Sequence, residues 1–112
     1  MLTFEPALRV RVFFAEGERV DHRDLGEALL QQAHDAGMDR ATLSRSIDGF
    51  GPWEDVEPRG PYRHGVCLVV EIIGDERAAV SFRAWVREFA LEAVVTTERV
   101  QLARGSSLSA LP

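Results

Sequence analysis

Lysine is absent from this chain of 112 residues, and all thirteen basic residues are arginine. That excludes Schiff-base chemistry and a lysine general base. Genomic composition accounts for an arginine bias as well as function does, so no mechanism is drawn from it. Cysteine occurs once, at Cys67, which excludes an internal disulfide and fits a reducing compartment. Eighteen acids against thirteen arginines leave a net charge of −5, and nucleic acids and anionic membranes both demand a basic surface. No segment approaches the ~18 apolar residues of a membrane span. The opening MLTFEPALRVRVFF puts acid and proline ahead of any apolar run, unlike a signal peptide. A soluble cytoplasmic protein is expected, neither membrane-embedded nor bound to nucleic acid. The three histidines, His22, His34 and His64, fall on a connector, a helix and a loop. None has a neighbour at ligand spacing, so no metal site is expected.

What is present suits one domain. At 46% hydrophobic and 28% charged residues the composition is ordinary for a globular protein. A chain of this length buries roughly 65% of its unfolded surface without covalent staples. Leu8 to Ala15 alternates, with Leu8, Val10, Val12 and Phe14 on one face and Arg9, Arg11 and Phe13 on the other, the period of a strand. Glu16 to His22 reads as a polar connector. Asp21 is placed to cap the helix that follows, with Asp24 favouring its positive end. Leu25, Ala28, Leu29, Ala33 and Ala36 form that helix's apolar stripe, and Gly37 suits its C-terminal cap.

Ala41 to Asp48 reads as a second strand and Val66 to Ile73 as a third. The third is almost continuously apolar, as a central strand would be. Asp75 is a cap for a second helix with the stripe Ala79, Phe82, Trp85, Val86 and Phe89, of which Phe82 and Trp85 read as core. Val94 to Leu102 is a fourth strand. Residues 1–102 form the domain, and 103–112 are expected to be a flexible tail. The order βαββαβ, with two helices to cover one sheet face, is the α+β ferredoxin-like sandwich around a four-stranded antiparallel sheet.

The other sheet face then carries Arg9, Arg11, Phe13, Cys67, Val69, Glu71 and Ile73. Val95, Thr97 and Arg99 join them if Val94, Val100 and Leu102 point inward. Large apolar groups among charges of both signs suit a buried subunit contact better than a wet surface. Glu71 is expected to pair with Arg9, Arg11 or Arg99, because a buried charge needs a partner.

Between the second and third strands lies PWEDVEPRGPYRHG, residues 52–65. A connection this long inside a small domain is usually functional or mobile. Gly49, Phe50 and Gly51 lead into it. Two readings stand: permissive backbone that lets a ligand approach beside an aromatic wall, or a plain strand end turning into a loop. Arg59 and Arg63, with Tyr62, offer forks to an anionic ligand or an acidic partner; Glu54, Asp55 and Glu57 in the same loop equally provide ion-pair partners. Trp53 suits a contact with another subunit or another protein. Cys67 follows His64 by three residues, but a cysteine in an apolar strand reads as a small buried residue. No acid–base pair, nucleophile with its base, or metal set is recognisable, so no catalytic residue is expected.

These residues carry a family resemblance over about residues 8–102. Leu8 to Phe13, Glu16, Arg19 and Leu25 to Ala28 resemble the opening of the PII-like DUF190 family. Ala41-Thr42-Leu43, Arg45, Ile47 and Gly49-Phe50-Gly51 match that family's GATVLRGxxGFG at the same spacing. Cys67 to Asp75 and Val94 to Val100 match its last two strands. More distantly, the GFG, the long loop after it and Glu71-Ile72-Ile73 are similar to the PII nitrogen-regulator proteins. The resemblance implies a trimer with a regulatory role. It implies a small effector, commonly an adenine nucleotide, in clefts between subunits, with Thr42, Gly49, Phe50 and Gly51 carried over as ligand-binding residues. It also implies that loop 52–65, with Trp53, Arg59, Tyr62 and Arg63, contacts a partner such as a membrane transporter or channel. Two departures stand out. Pro52-Trp53 replaces the Arg-Gln that follows GFG in the nitrogen regulators. Their glycine-rich phosphate-cradling loop has no counterpart in Glu92-Ala93-Val94-Val95. A small ferredoxin-like oligomeric enzyme and a ligand-free structural trimer are the competing readings.

Overall fold

The computed structural model describes residues 2–46, 67–90 and 92–105. The elements are β1 (Leu2–Ala15), β2 (Arg19–Val20), β3 (Arg23–Asp24), α1 (Leu25–Asp35), β4 (Arg40–Arg45), β5 (Cys67–Gly74), α2 (Glu76–Phe89) and β6 (Val94–Gly105). The four long strands form one sheet in the order β4-β5-β1-β6, antiparallel at every pairing. Both helices cover one face of it. This is the ferredoxin-like sandwich the sequence predicts, with the apolar β5 in an interior position.

Alternation in β1 and β5 decides which side chains the helices cover. Leu8, Val10, Val12 and Phe14 from β1 and Leu68, Val70 and Ile72 from β5 meet Leu25, Leu29 and Ala33 of α1 and Ala79, Phe82 and Val86 of α2 in one buried cluster. Burying each large member stabilises the fold by roughly 1.5–3 kcal/mol. Trp85 lies at the rim of this core rather than in it, and its ring meets the exposed Phe89 at a centroid distance of 5.1 Å.

The helix caps are local. Asp75 accepts from the Ala78 amide at 2.8 Å and starts α2 as expected. For α1 the expected cap is displaced: Asp24, not Asp21, accepts from Glu27 N–H at 3.1 Å. Asp21 and His22 instead adopt φ of 48° and 64° in the two-residue turn between β2 and β3. Two successive left-handed residues make the turn whose twist matches a hairpin, and aspartate tolerates that region better than most residues. The connector read as irregular is therefore a small hairpin, and the Arg19 guanidinium donates to the His22 carbonyl across it. At the other end of α1, Gly37 takes φ +86° as the predicted terminating glycine.

Two boundaries differ from expectation at the β1–β6 pairing. β1 begins six residues before Leu8, and Leu2 to Ala7 pair with β6 alone, since β5 joins only at Leu8↔Gly74. β6 correspondingly runs through Ala103 to Gly105, so the first three residues of the expected tail are strand; 106–112 lie outside the described residues. The result is a two-stranded ribbon leaving the sheet, with Leu2 and Phe4 exposed on it.

The facing of β6 is the reverse of the sequence expectation. Leu8 pairs with Arg99, Val10 with Thr97 and Val12 with Val95, so those three β6 residues share the helix-covered face. Val94, Thr96, Glu98, Val100 and Leu102 lie on the open face, opposite Phe13, Arg11, Arg9, Ala7 and Glu5. The reason is position. β6 is an edge strand that the helices scarcely cover, and Val94 and Val95 are equally exposed at 39%. Burial therefore imposes no apolar pattern from which the phase of β6 can be read.

Candidate functional site: the loop base and the open sheet face

The β4–β5 hairpin defines a loop base. The two strands pair from Arg40↔Ile73 to Arg45↔Leu68. One step beyond, the Ser46 amide donates to the Cys67 carbonyl at 2.9 Å, and the Ser46 hydroxyl donates to the same oxygen at 2.9 Å. Segment 47–66 therefore leaves and re-enters the sheet at a doubly fastened point. Arg45 adds a second fastening to the turn after β1, its two Nη atoms meeting the two carboxylate oxygens of Glu16 at 3.0 and 3.2 Å. Such a two-pronged geometry fixes orientation as well as distance. Around it, Glu18 accepts from Ala15 N–H at 3.1 Å, and its own carbonyl accepts from Leu25 N–H at 2.9 Å. The Cys67 thiol, half-buried here, is pushed above the ordinary thiol pKa by burial, and a hydrogen bond with Ser46 opposes the shift. A neutral, poorly nucleophilic thiol follows, in keeping with its reading as a packing residue.

Of the sequence-predicted ligand residues, only Thr42 lies among the described residues. Thr42 sits on β4 directly opposite Glu71, four residues before the loop base and on the open face. Gly49, Phe50 and Gly51 lie outside the described residues, as do Trp53, Arg59, Tyr62 and Arg63.

The open face is organised in rows across the four strands. Arg40, Ile73, Arg9 and Glu98 form one; Thr42, Glu71, Arg11 and Thr96 the next; Ser44, Val69, Phe13 and Val94 the third. Two rows carry an ion pair. Arg11 Nε donates to Glu71 Oε2 at 2.7 Å, which selects one of the three partners expected for Glu71. Arg9 pairs with Glu98, a partner hidden from the sequence because the phase of β6 was not legible there. The side chains of Arg11 and Glu71 are 38% and 35% exposed. This face thus combines apolar groups with two ion pairs, and Arg40 stands at its β4 edge.

The α2–β6 connector is the other informative place. Two of its amides are bonded within the chain: Ala90 N–H donates to the Val86 carbonyl at 2.8 Å, and Ala93 N–H to the Ala90 carbonyl at 3.1 Å. A backbone cradle for phosphate needs free amides converging on the anion. These two amides are already spent, in agreement with the missing glycines. Among the described residues no three His, Cys, Asp or Glu groups gather to hold a metal ion, and no helix is long and apolar enough to cross a membrane.

A ferredoxin-like sandwich whose β4–β5 hairpin launches a long segment from a fastened base defines a PII-like protein. The family model DUF190, described as "Uncharacterized ACR, COG1993", matches residues 7–102, and the chain belongs to that family. A UPF0166 protein of Aquifex aeolicus (strain VF5) is 29% identical over 75 residues, which span 65% of this chain and 71% of that one. Among solved structures, the apo form of CPII from Thiomonas intermedia K12, a nitrogen regulatory PII-like protein, superposes with a TM-score of 0.63. It shares 16% identity, over 94% of this chain and all of that one. The same protein bound to ADP, AMP and acetate gives a TM-score of 0.64 at 15% identity, over 91% of this chain and 93% of that one. At such identities the likeness carries the fold.

Proposed function

We propose that this chain is a PII-like regulatory protein of the cytoplasm, without catalytic activity, that senses a small effector and signals through its long loop. The effector is an adenine nucleotide, bound between subunits of a trimer beside Gly49, Phe50, Gly51 and Thr42. The observation that carries this reading is the loop base. Ser46 and Cys67 hold the two ends of segment 47–66 together at the end of a rigid hairpin. A ligand seated against that base acts at the point through which both ends of the segment pass. Free energy of ligand contact then becomes a change in loop population. Family membership over residues 7–102 and the ADP and AMP bound by CPII support the choice of ligand class.

Trimerisation uses the open sheet face. Its paired charges and its apolar groups Val69, Ile73, Val94 and Phe13 form a surface that is expensive to leave wet and ready to be covered. Loop 52–65 then projects to engage a partner protein, a membrane transporter or channel, through Trp53, Arg59, Tyr62 and Arg63.

Calorimetric titration against ATP, ADP, AMP and a metabolite panel, with hydrogen exchange read over residues 47–66, tests the reading. Saturable binding of an adenine nucleotide with changed exchange in the loop is expected. No binding by any member, with loop exchange unchanged throughout, would sink the sensor reading.

A further inference from the structure

The edge of the helix layer, where α2 ends above β6, holds a groove of about 300 Å³ lined by Arg83, Val86, Arg87, Ala90, Ala93 and Val95. That is the lower end of the size range of small-molecule sites. Among the described residues its floor is aliphatic, from Val86, Ala90, Ala93 and Val95, and its charged walls are the two arginines. Arg83 and Arg87 are one helical turn apart, so their side chains rise from neighbouring points on one face of α2. Among the described residues neither guanidinium makes an ion pair or hydrogen bond, whereas Arg9, Arg11 and Arg45 each pair with a glutamate. Glu88 and Glu92, the acids nearest in sequence, are not paired with them.

Two like charges at this spacing destabilise a helix, and leaving both unpaired over an apolar hollow gains nothing for the fold. Attraction to the negative end of α2 accounts for a basic residue in its last turn. It does not account for a second one a turn earlier, or for the hollow beside them. An anion carried on an apolar or planar body answers both: the forks take the anion while Val86, Ala93 and Val95 take the body.

We infer that Arg83 and Arg87 form the phosphate subsite of this protein, holding the anionic end of the effector by their side chains. The groove borders the α2–β6 connector, where the Ala90 and Ala93 amides are already bonded within the chain, so these two leave the anion to the guanidinium side chains. β6 is a sheet edge, so the groove lies at the margin of the sheet. This inference rests on the adenine-nucleotide reading for the rest of the ligand, but the anion subsite is measurable by itself.

The test uses the full chain and the variants R83Q, R87Q and the double substitution, with folding checked by thermal melting. Gln keeps much of the stem and removes the charge. ADP affinity is expected to fall about tenfold for each arginine lost, the scale of a charged hydrogen-bonded contact, while any binding of adenosine is unchanged. ADP binding by the wild type is expected to weaken as salt rises. Independently, inorganic pyrophosphate is expected to shift the Nε–H resonances of Arg83 and Arg87 in the wild type. ADP affinities within twofold of wild type in the double variant, or pyrophosphate leaving both resonances in place, would overturn the subsite. If no adenine compound binds the wild type, the effector reading falls, and the pyrophosphate titration still decides the subsite.

Discussion

Replacing Glu71 by alanine separates the stability of the subunit from that of the assembly. In the isolated subunit the Arg11–Glu71 pair is about one-third exposed on each side. An ion pair that water reaches contributes only about 0–1 kcal/mol, and Glu71→Ala is expected to cost no more than that in subunit folding. In the proposed trimer the same row is covered. Removing the carboxylate then strands the Arg11 guanidinium in a dry contact, at about 3–5 kcal/mol for an uncompensated buried charge. Symmetry repeats the penalty three times, so the trimer association constant is expected to fall by at least about six orders of magnitude. Sedimentation equilibrium across the micromolar range reads the assembly, and urea unfolding at low protein concentration reads the subunit. The neutral pair Arg11→Met with Glu71→Leu is expected to restore assembly, since apolar groups of like volume fill a buried ion-pair site at little cost. A Glu71→Ala protein that remains fully trimeric at low micromolar concentration would refute the reasoning. So would a subunit destabilised by much more than about 1 kcal/mol, because the face would then be part of the subunit's own core.

Other expectations follow from single contacts. A methyl group at Gly74 would lie 2.7 Å from Met38 Sδ and 3.0 Å from its Cα, so Gly74→Ala is expected to cost roughly 1–3 kcal/mol by overpacking; an unchanged urea midpoint would show that the chain there yields freely. Asp24→Ala removes the acceptor for the Glu27 amide and is expected to cost about 1 kcal/mol, whereas Asp21→Ala leaves that cap intact; equal losses on thermal melting would contradict the cap assignment. Burial raises the Cys67 pKa above its unfolded value, so the neutral thiol's contribution is intact below the ordinary thiol range. It is lost as pH rises through the folded pKa, because the unfolded state gives up its proton first. Ser46→Ala, which removes the opposing hydrogen bond, is expected to move the thiol's titration, followed by the pH dependence of its alkylation rate, still higher; a downward move would reverse the assigned cause.

Much of this architecture is written in local pattern. Leu8, Val10, Val12 and Phe14 alternate because one face of β1 is covered by helices, and the covering imposes the pattern that sequence reading detects. The same holds for the stripe of Ala79, Phe82 and Val86 on α2, and for Asp75 and Gly37, whose capping roles involve only their own chain neighbours. The site was less legible. Thr42 stands out only by resemblance to a family motif; its place in the row of Glu71 and Arg11 depends on strand register. The pair of arginines on α2 escaped notice because two like charges four residues apart look like an ordinary solvated helix face. Only the hollow beside them, made by β6 from elsewhere in the chain, gives them significance.

By itself, then, the sequence determined the elements, their order, the covered faces of β1 and β5 and the presence of a long arm between two paired strands. Each of these follows from burial or from short-range backbone preference. Tertiary structure alone decided the facing of β6, the choice of Glu98 as the partner of Arg9, the ribbon formed by Leu2 to Ala7 with the end of β6, and the groove under Arg83 and Arg87. All four depend on register and edge position, quantities set by contacts between residues far apart in the chain and unmarked by any local period.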